Sequence, residues 1–169
     1  MNKSFLKHVQ YLAIFLYLVF CASGVAAATE ISWRQVSHVN ESHPNVIPDS
    51  GGYTLGTGKG SGLGFFSDGQ IATINLAFNI DYKKGDGDFV AYETYTFPDG
   101  STLVLKRNGR TITTGGGSGA DFDGTFKLVG GTGRYRGISG DGVFTGKRLS
   151  PLGSGADQYF DFKVNAVFP

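Results

Sequence analysis

The sequence predicts an all-β protein: a single closed antiparallel β-barrel of about eight strands. Three observations carry that expectation. Glycine is in excess, 27 in 169 residues, and an interior glycine costs a helix about 1 kcal/mol relative to alanine. No segment sustains an apolar stripe at helical spacing, whereas several runs alternate apolar and polar residues with the period of two that a half-buried strand requires. Short turn-forming clusters recur between those runs. Such a sheet must hide its edges. Glycines inside strands favour closure into a barrel, whose corners bend tightly.

The chain opens with the marks of a secretory signal. Lys3 and Lys7 form a positive n-region, residues 11–20 are an apolar run, and Ala26-Ala27-Ala28 supplies the small residues of a cleavage site. The run is shorter than the roughly 20 apolar residues of a membrane span. Residues 1–28 are therefore expected to be a signal peptide and residues 29–169 the barrel, with the mature protein secreted or periplasmic and without a membrane span. An uncleaved anchor is the competing reading. A lipid anchor on Cys21 is disfavoured by the bulky Phe20 before it. Cys21 is the chain's one cysteine, so the mature barrel has no disulfide and rests on its core and its ladders. Loss of Lys3 and Lys7 takes the formal net charge from +1 to −1. No stretch is strongly basic, so phosphate-driven nucleic-acid binding has no electrostatic footprint.

The elements read in order as follows. Residues 31–39 alternate and form a first strand, and residues 40–52, with Pro44, Pro48 and Asp49-Ser50-Gly51-Gly52, read as a loop. Residues 53–66 are a bent strand pair or one bulged strand. Residues 70–82 give the clearest strand, with Ala72, Ile74, Leu76, Phe78, Ile80 and Tyr82 on one face and mostly polar residues on the other. A turn at residues 83–87 leads to a strand at 88–97. Pro98-Asp99-Gly100 then turns the chain into a strand at 101–107, and Asn108-Gly109 reads as a two-residue hairpin. Residues 110–114, 124–129, 143–149 and 158–168 complete the sheet.

The segment from Lys127 to Leu149, KLVGGTGRYRGISGDGVFTGKRL, resembles the allene oxide cyclase barrel and the related dirigent barrels, most nearly bacterial-type members. There a Gly-Gly-Thr/Ser-Gly turn, an aromatic and a spaced glycine precede a strand, and an aromatic-rich strand follows, here Tyr159-Phe160-Asp161-Phe162. The glycine run suits a tight turn with positive φ at Gly130-Gly131 and Gly133, and a bend at Gly137 and Gly140. The resemblance implies an eight-stranded barrel with an apolar lumen. It also implies cyclisation or isomerisation of oxygenated lipids, direction of phenoxy-radical coupling, or no known activity, and it leaves a homo-oligomer open. The shared motif is structural and carries over no catalytic residue.

Glu93 is the first candidate for chemistry. Alternation puts Phe89, Ala91, Glu93, Tyr95 and Phe97 on one strand face, and Val90, Tyr92, Thr94 and Thr96 on the other. If the first face is buried, a carboxylate among aromatics resists ionisation and serves as a general acid or base, with Tyr95 as a hydrogen-bond donor to it or to a substrate oxygen. If that face points outward, Glu93 is a solvated strand residue. Phe89, Phe97, Tyr92 and Tyr159 are the aromatics expected to line a ligand site.

Other clusters read as structure. His38, Glu41 and His43 match no zinc spacing, and Asp86-Gly87-Asp88 and Asp121-Phe122-Asp123-Gly124 lack the ligands of a calcium loop. No metal is expected, nor any cofactor. The run from Gly56 to Ser61 fails the phosphate-loop pattern at Tyr53 and Gly60. Three functions stay open: a barrel binding a small hydrophobic molecule, a cofactor-free cyclase or isomerase acting on an oxygenated lipid-like or aromatic substrate, and a structural barrel with a packed interior.

Overall fold

The computed structural model describes residues 28–169, so the signal assigned to residues 1–28 lies outside the described residues except for Ala28. Eight strands follow one another: β1 (Thr29–Val46), β2 (Tyr53–Phe66), β3 (Ile71–Lys83), β4 (Asp86–Thr96), β5 (Thr102–Thr114), β6 (Gly119–Gly131), β7 (Ser139–Arg148) and β8 (Asp157–Val167). Each pairs antiparallel with the next, and β8 returns to β1 with Thr29 opposite Ala166 and His38 opposite Asp157. The sheet is a closed barrel, so neither terminal strand is left as an exposed template.

Strand alternation sorts the side chains into lumen and outer wall. The lumen holds Trp33, Phe66, Phe89, Tyr95, Phe97, Phe122, Phe126, Phe144, Phe160 and Phe162, all buried. Arg34, Lys59, Asp81, Arg110, Asp123, Lys127, Lys147 and Lys163 are exposed on the outer wall. This is the inverse of a lipid-facing barrel, whose outer band is apolar. Among the described residues no helix is long and apolar enough to cross a membrane.

Part of the room for the lumen side chains comes from inward glycines on β2. Its inward positions are Gly56, Gly58, Gly60, Gly62 and Gly64, and a Cβ on Gly58 would stand 2.2 Å from the Phe78 ring. From Gly56 to Gly64 the strand presents only backbone to the lumen, and Ile80, Phe78, Leu76 and Tyr95 of other strands fill the space.

Four sequence expectations change. First, β1 continues through residues 40–46 instead of becoming a loop, with a register shift between Val39 and Glu41. Beyond His38 it pairs with β2 alone, and an edge stretch of that kind tolerates Pro44. Second, residues 53–66 form one strand in unbroken register with β3. Third, Asn108-Gly109 makes no hairpin: β5 runs through it, Asn108 opposite Val90 and Gly109 opposite Phe89. Gly109 serves packing, since a Cβ there would lie 2.5 Å from Phe144 and 2.7 Å from Phe89. Fourth, in the Gly-Gly-Thr-Gly segment only Gly133 (φ 58°) has positive φ, as does Gly137 (φ 75°) beyond it. Gly130 and Gly131 close β6 beside a register shift at Val104/Leu105.

The two ends of the barrel differ. At one end, a turn at Gly133–Tyr135 sets Tyr135 against Phe97, with ring centroids 4.9 Å apart, and forms a floor. At the other, the segment between β7 and β8 folds back as a cap. It is held by hydrogen bonds from Val39 N–H to Ala156 C=O (2.9 Å) and from Gly155 N–H to Val39 C=O (2.8 Å).

Candidate functional site

The inward parity of β4 places Glu93 in the middle of the lumen, 1% exposed, with Tyr95 beside it. The opposite parity, which would have solvated Glu93, is excluded because Leu76 and Leu105 flank it on the inward faces of β3 and β5. β5 contributes Arg107, and β1 contributes Trp33, Gln35 and Ser37. These side chains form one polar layer inside a largely apolar core of aromatic and aliphatic residues.

Arg107 Nη2 donates to Glu93 Oε1 at 2.7 Å, an ion pair whose two side chains are essentially inaccessible to water. Gln35 Nε2 donates to the same oxygen at 3.2 Å. The Tyr95 hydroxyl lies 2.9 Å from Glu93 Oε2 and 2.5 Å from Gln35 Oε1, and it accepts from Trp33 Nε1 at 3.0 Å. A phenol has one proton, so it serves one of its two acceptors at a time. Burial, reinforced by the Glu93 charge, pushes the Tyr95 phenol well above its ordinary value. Tyr95 is thus a permanent donor and not a base.

Arg107 is only partly served by this layer. Its guanidinium carbon stands 3.9 Å over the Phe160 ring centroid, with Phe144 and Phe89 at 5.2 and 5.4 Å. All three lie within cation–π range. Its Nε and Nη1 are buried and have no hydrogen-bond partner. Arg107 also forms part of the wall of a small cleft under the cap, with a volume of about 30 Å³, shared with Phe89, Arg148, Leu152, Gln158 and Phe160. Glu93 and Tyr95 do not line that cleft.

Arg148 comes from the end of β7 and is 4% exposed. Its Nε donates to the Ser150 carbonyl at 2.8 Å, and burial lowers its pKa. Tyr82, also in the cleft wall, bonds Thr111 at 2.5 Å, and burial raises its phenol.

The structure therefore separates the sequence candidates. Glu93, Tyr95, Phe89 and Phe97 enter the lumen, but Phe97 packs at the floor with Phe66 at 5.0 Å, away from the cleft. Tyr92 and Tyr159 do not join them. Tyr92 is 51% exposed on the outer wall under the Lys106 ammonium. Tyr159 lies outside beneath the Arg34 guanidinium at 5.2 Å. Both sit one residue out of phase with the inward set, and period two sends them outward.

Tyr92 borders an open outer groove of about 370 Å³ with Glu41, His43, Lys59 and Asn79. Its charged groups pair among themselves, His43 and Lys59 each 3.6 Å from Glu41. His38 stands 2.8 Å from Asp157. Among the described residues no three metal-ligating side chains converge.

The residues that sequence reasoning missed are Arg107, Arg148 and Gln35. A signal for Arg107 existed: it shares parity with Leu103 and Leu105, so an arginine occupied an apolar-face position.

Fold and site together define a closed eight-stranded up-and-down barrel with an ion pair buried in an aromatic lumen. The eight strands agree with the architecture that the segment from Lys127 to Leu149 implied, and the charged layer departs from a purely apolar lumen. No known protein-family profile and no curated protein matches the chain. Among solved structures, the chain is similar to a pterocarpan synthase dirigent protein: 16% identity, TM-score 0.48, covering 84% of this chain and 87% of that one. It is also similar to a nonspecific heme-binding cyclase that catalyses a cycloaddition during neoabyssomicin biosynthesis: 22% identity, TM-score 0.43, covering 100% of this chain and 84% of that one.

Proposed function

We propose that this protein is an exported binding barrel that holds a small, largely apolar molecule at the capped end of its lumen. The observation that carries this reading is the cleft beneath the cap. There aromatic residues and two buried arginines line the same open space, the combination of apolar lining and few polar groups that ligand sites share. About 30 Å³ of cleft is room for roughly two waters. The ligand therefore inserts one end and leaves its body at the mouth, where Phe78 and Leu152 are part-exposed. No cofactor is required.

The geometry changes the alternative reading of a cofactor-free cyclase or isomerase. Glu93 is enclosed by Arg107, Gln35 and Tyr95. In such an enzyme Glu93 and Tyr95 would be positioning residues, and Arg107 would be the group that meets a substrate oxygen.

Native mass spectrometry of protein purified gently from its exporting host tests the proposal. The expected spectrum shows a mature chain beginning at Thr29 with a retained small molecule, and the recombinant barrel brightens the apolar dye N-phenyl-1-naphthylamine. A bare mass together with no dye response would favour the packed structural barrel. A mass retaining residues 1–28 would remove the export part.

A further inference from the structure

The ligand's chemistry can be read from the charges around the cleft, an inference that rests on the lumen-binding reading. We propose that the molecule taken up is an organic monoacid, whose carboxylate enters the cleft and accepts from the unpaired N–H groups of Arg107, with Arg148 as the second cation.

Two independent observations point to an anion. The first is hydrogen bonding. Arg107 Nε and Nη1 are buried without acceptors, and orphaned donors on a buried cation are among the costliest groups to leave unmet. The Phe160, Phe144 and Phe89 rings stand within cation–π range of the guanidinium but leave its Nε and Nη1 without an acceptor. The second is charge balance. The buried charged side chains among the described residues are Glu93, Arg107 and Arg148. Glu93 pairs with Arg107, and Arg148 reaches the Ser150 carbonyl with no carboxylate within ion-pair distance among the described residues. One buried positive charge is left uncompensated. A neutral carbonyl ligand would satisfy the donors of Arg107 but not this charge.

Size and lining narrow the class. A carboxylate presents two oxygens where about two waters fit, and its single charge matches the single excess. Phe89, Phe122 and Phe160 form the wall, which suits an acid attached to an apolar or aromatic body better than an inorganic anion.

The test compares phenylacetate with phenylacetamide, which share a shape and differ in charge, on the full mature barrel. Affinity is measured by calorimetry, and the site is read by NMR of isotope-labelled arginine side chains. Phenylacetate is expected to bind about tenfold or more tightly than the amide, the scale of a hydrogen bond to a charged group, and to shift the Arg107 side-chain signal. The R148Q variant is expected to shrink the acid-to-amide ratio by about tenfold on the same scale. Because R107Q would strand Glu93 and could unfold the barrel, the Arg107 signal in the native protein stands in for that variant.

Equal affinities for acid and amide would overturn the monoacid inference and leave the lumen site standing. An unchanged ratio in R148Q would remove Arg148 from it. Acetate binding as tightly as phenylacetate would remove the apolar body. Failure of every probe, or shifts confined to the outer wall, would overturn both the inference and the binding reading.

Discussion

Replacing Glu93 by leucine tests the electrostatics of the lumen directly. The side chain keeps a similar volume, so the effect is chemical. Arg107 Nη2 loses its acceptor, and Gln35 Nε2 and the Tyr95 hydroxyl keep only their second ones, Ser37 Oγ and Gln35 Oε1. Arg107 would then be a buried cation with no counterion and no acceptor. Breaking a buried pair from one side costs about 3–5 kcal/mol, a large share of the 5–15 kcal/mol that a domain typically has. At about 3 °C per kcal/mol for a domain of this size, the melting temperature falls by roughly 9–15 °C. The double variant E93L/R107M removes both charges and is expected to return to within about 1 kcal/mol of the parent, since apolar replacement of a whole buried pair is often neutral. Urea unfolding followed by tryptophan fluorescence reports both. Trp33 is the sole tryptophan, 4% exposed and stacked between Phe66 and Phe162 at 5.2 and 4.8 Å. An E93L loss below about 1 kcal/mol, or a double variant no better than the single, would refute the assignment of a costly unpaired charge.

Two further outcomes follow from the packing and the buried phenols. Gly109→Ala should cost about 1–3 kcal/mol by overpacking, because its Cβ would meet Phe144 at 2.5 Å and Phe89 at 2.7 Å. Gly153→Ala, with nothing within 4 Å, should stay within about 0.5 kcal/mol of the parent in the same urea assay; equal effects would contradict the packing role of Gly109. Tyr95 and Tyr82 both have raised pKa values. The unfolded chain releases these protons near pH 10 while the folded chain retains them. The folded state then binds more protons, so stability is intact below about pH 10 and falls above it, by up to about 1.4 kcal/mol per pH unit for each phenol. Urea midpoints measured from about pH 8 to 11 should decline past pH 10, less steeply in Y95F, and a flat profile in the parent would count against burial of the phenols.

The closed barrel was legible because its evidence is periodic. Residues 70–82 and 88–97 alternate almost without exception, and the structure has strands there within two residues at each end. The misreadings fall where one residue type serves two purposes. Asn108-Gly109 carries the signature of a hairpin, yet Gly109 is where the barrel admits Phe89 and Phe144, a demand set by residues 20 and 35 positions away in sequence. The inward glycines of β2 look like flexibility and in fact make room for Leu76, Phe78, Ile80 and Tyr95 of other strands. For the site, parity alone grouped Glu93 and Tyr95, but nothing local says which face is inward or that β5 delivers Arg107 to Glu93. That contact depends on the register Glu93 opposite Leu105, a property of the assembled sheet.

The buried layer is best explained by function and not by stability. A barrel without disulfides gains little from an ion pair in its core, because taking two charges out of water costs roughly what their attraction returns. Phe, Leu or Met at positions 93 and 107 would extend the aromatic packing already present above and below. A second arginine under the cap adds an unpaired charge that the fold does not need, and two donors of the first remain unmet. Each of these costs is reduced by one event, arrival of an anion at the cleft between Arg107 and Arg148. Glu93 then has a defined part: it offsets one of the two cations and fixes the Arg107 guanidinium in place, so that a single negative charge completes the lumen.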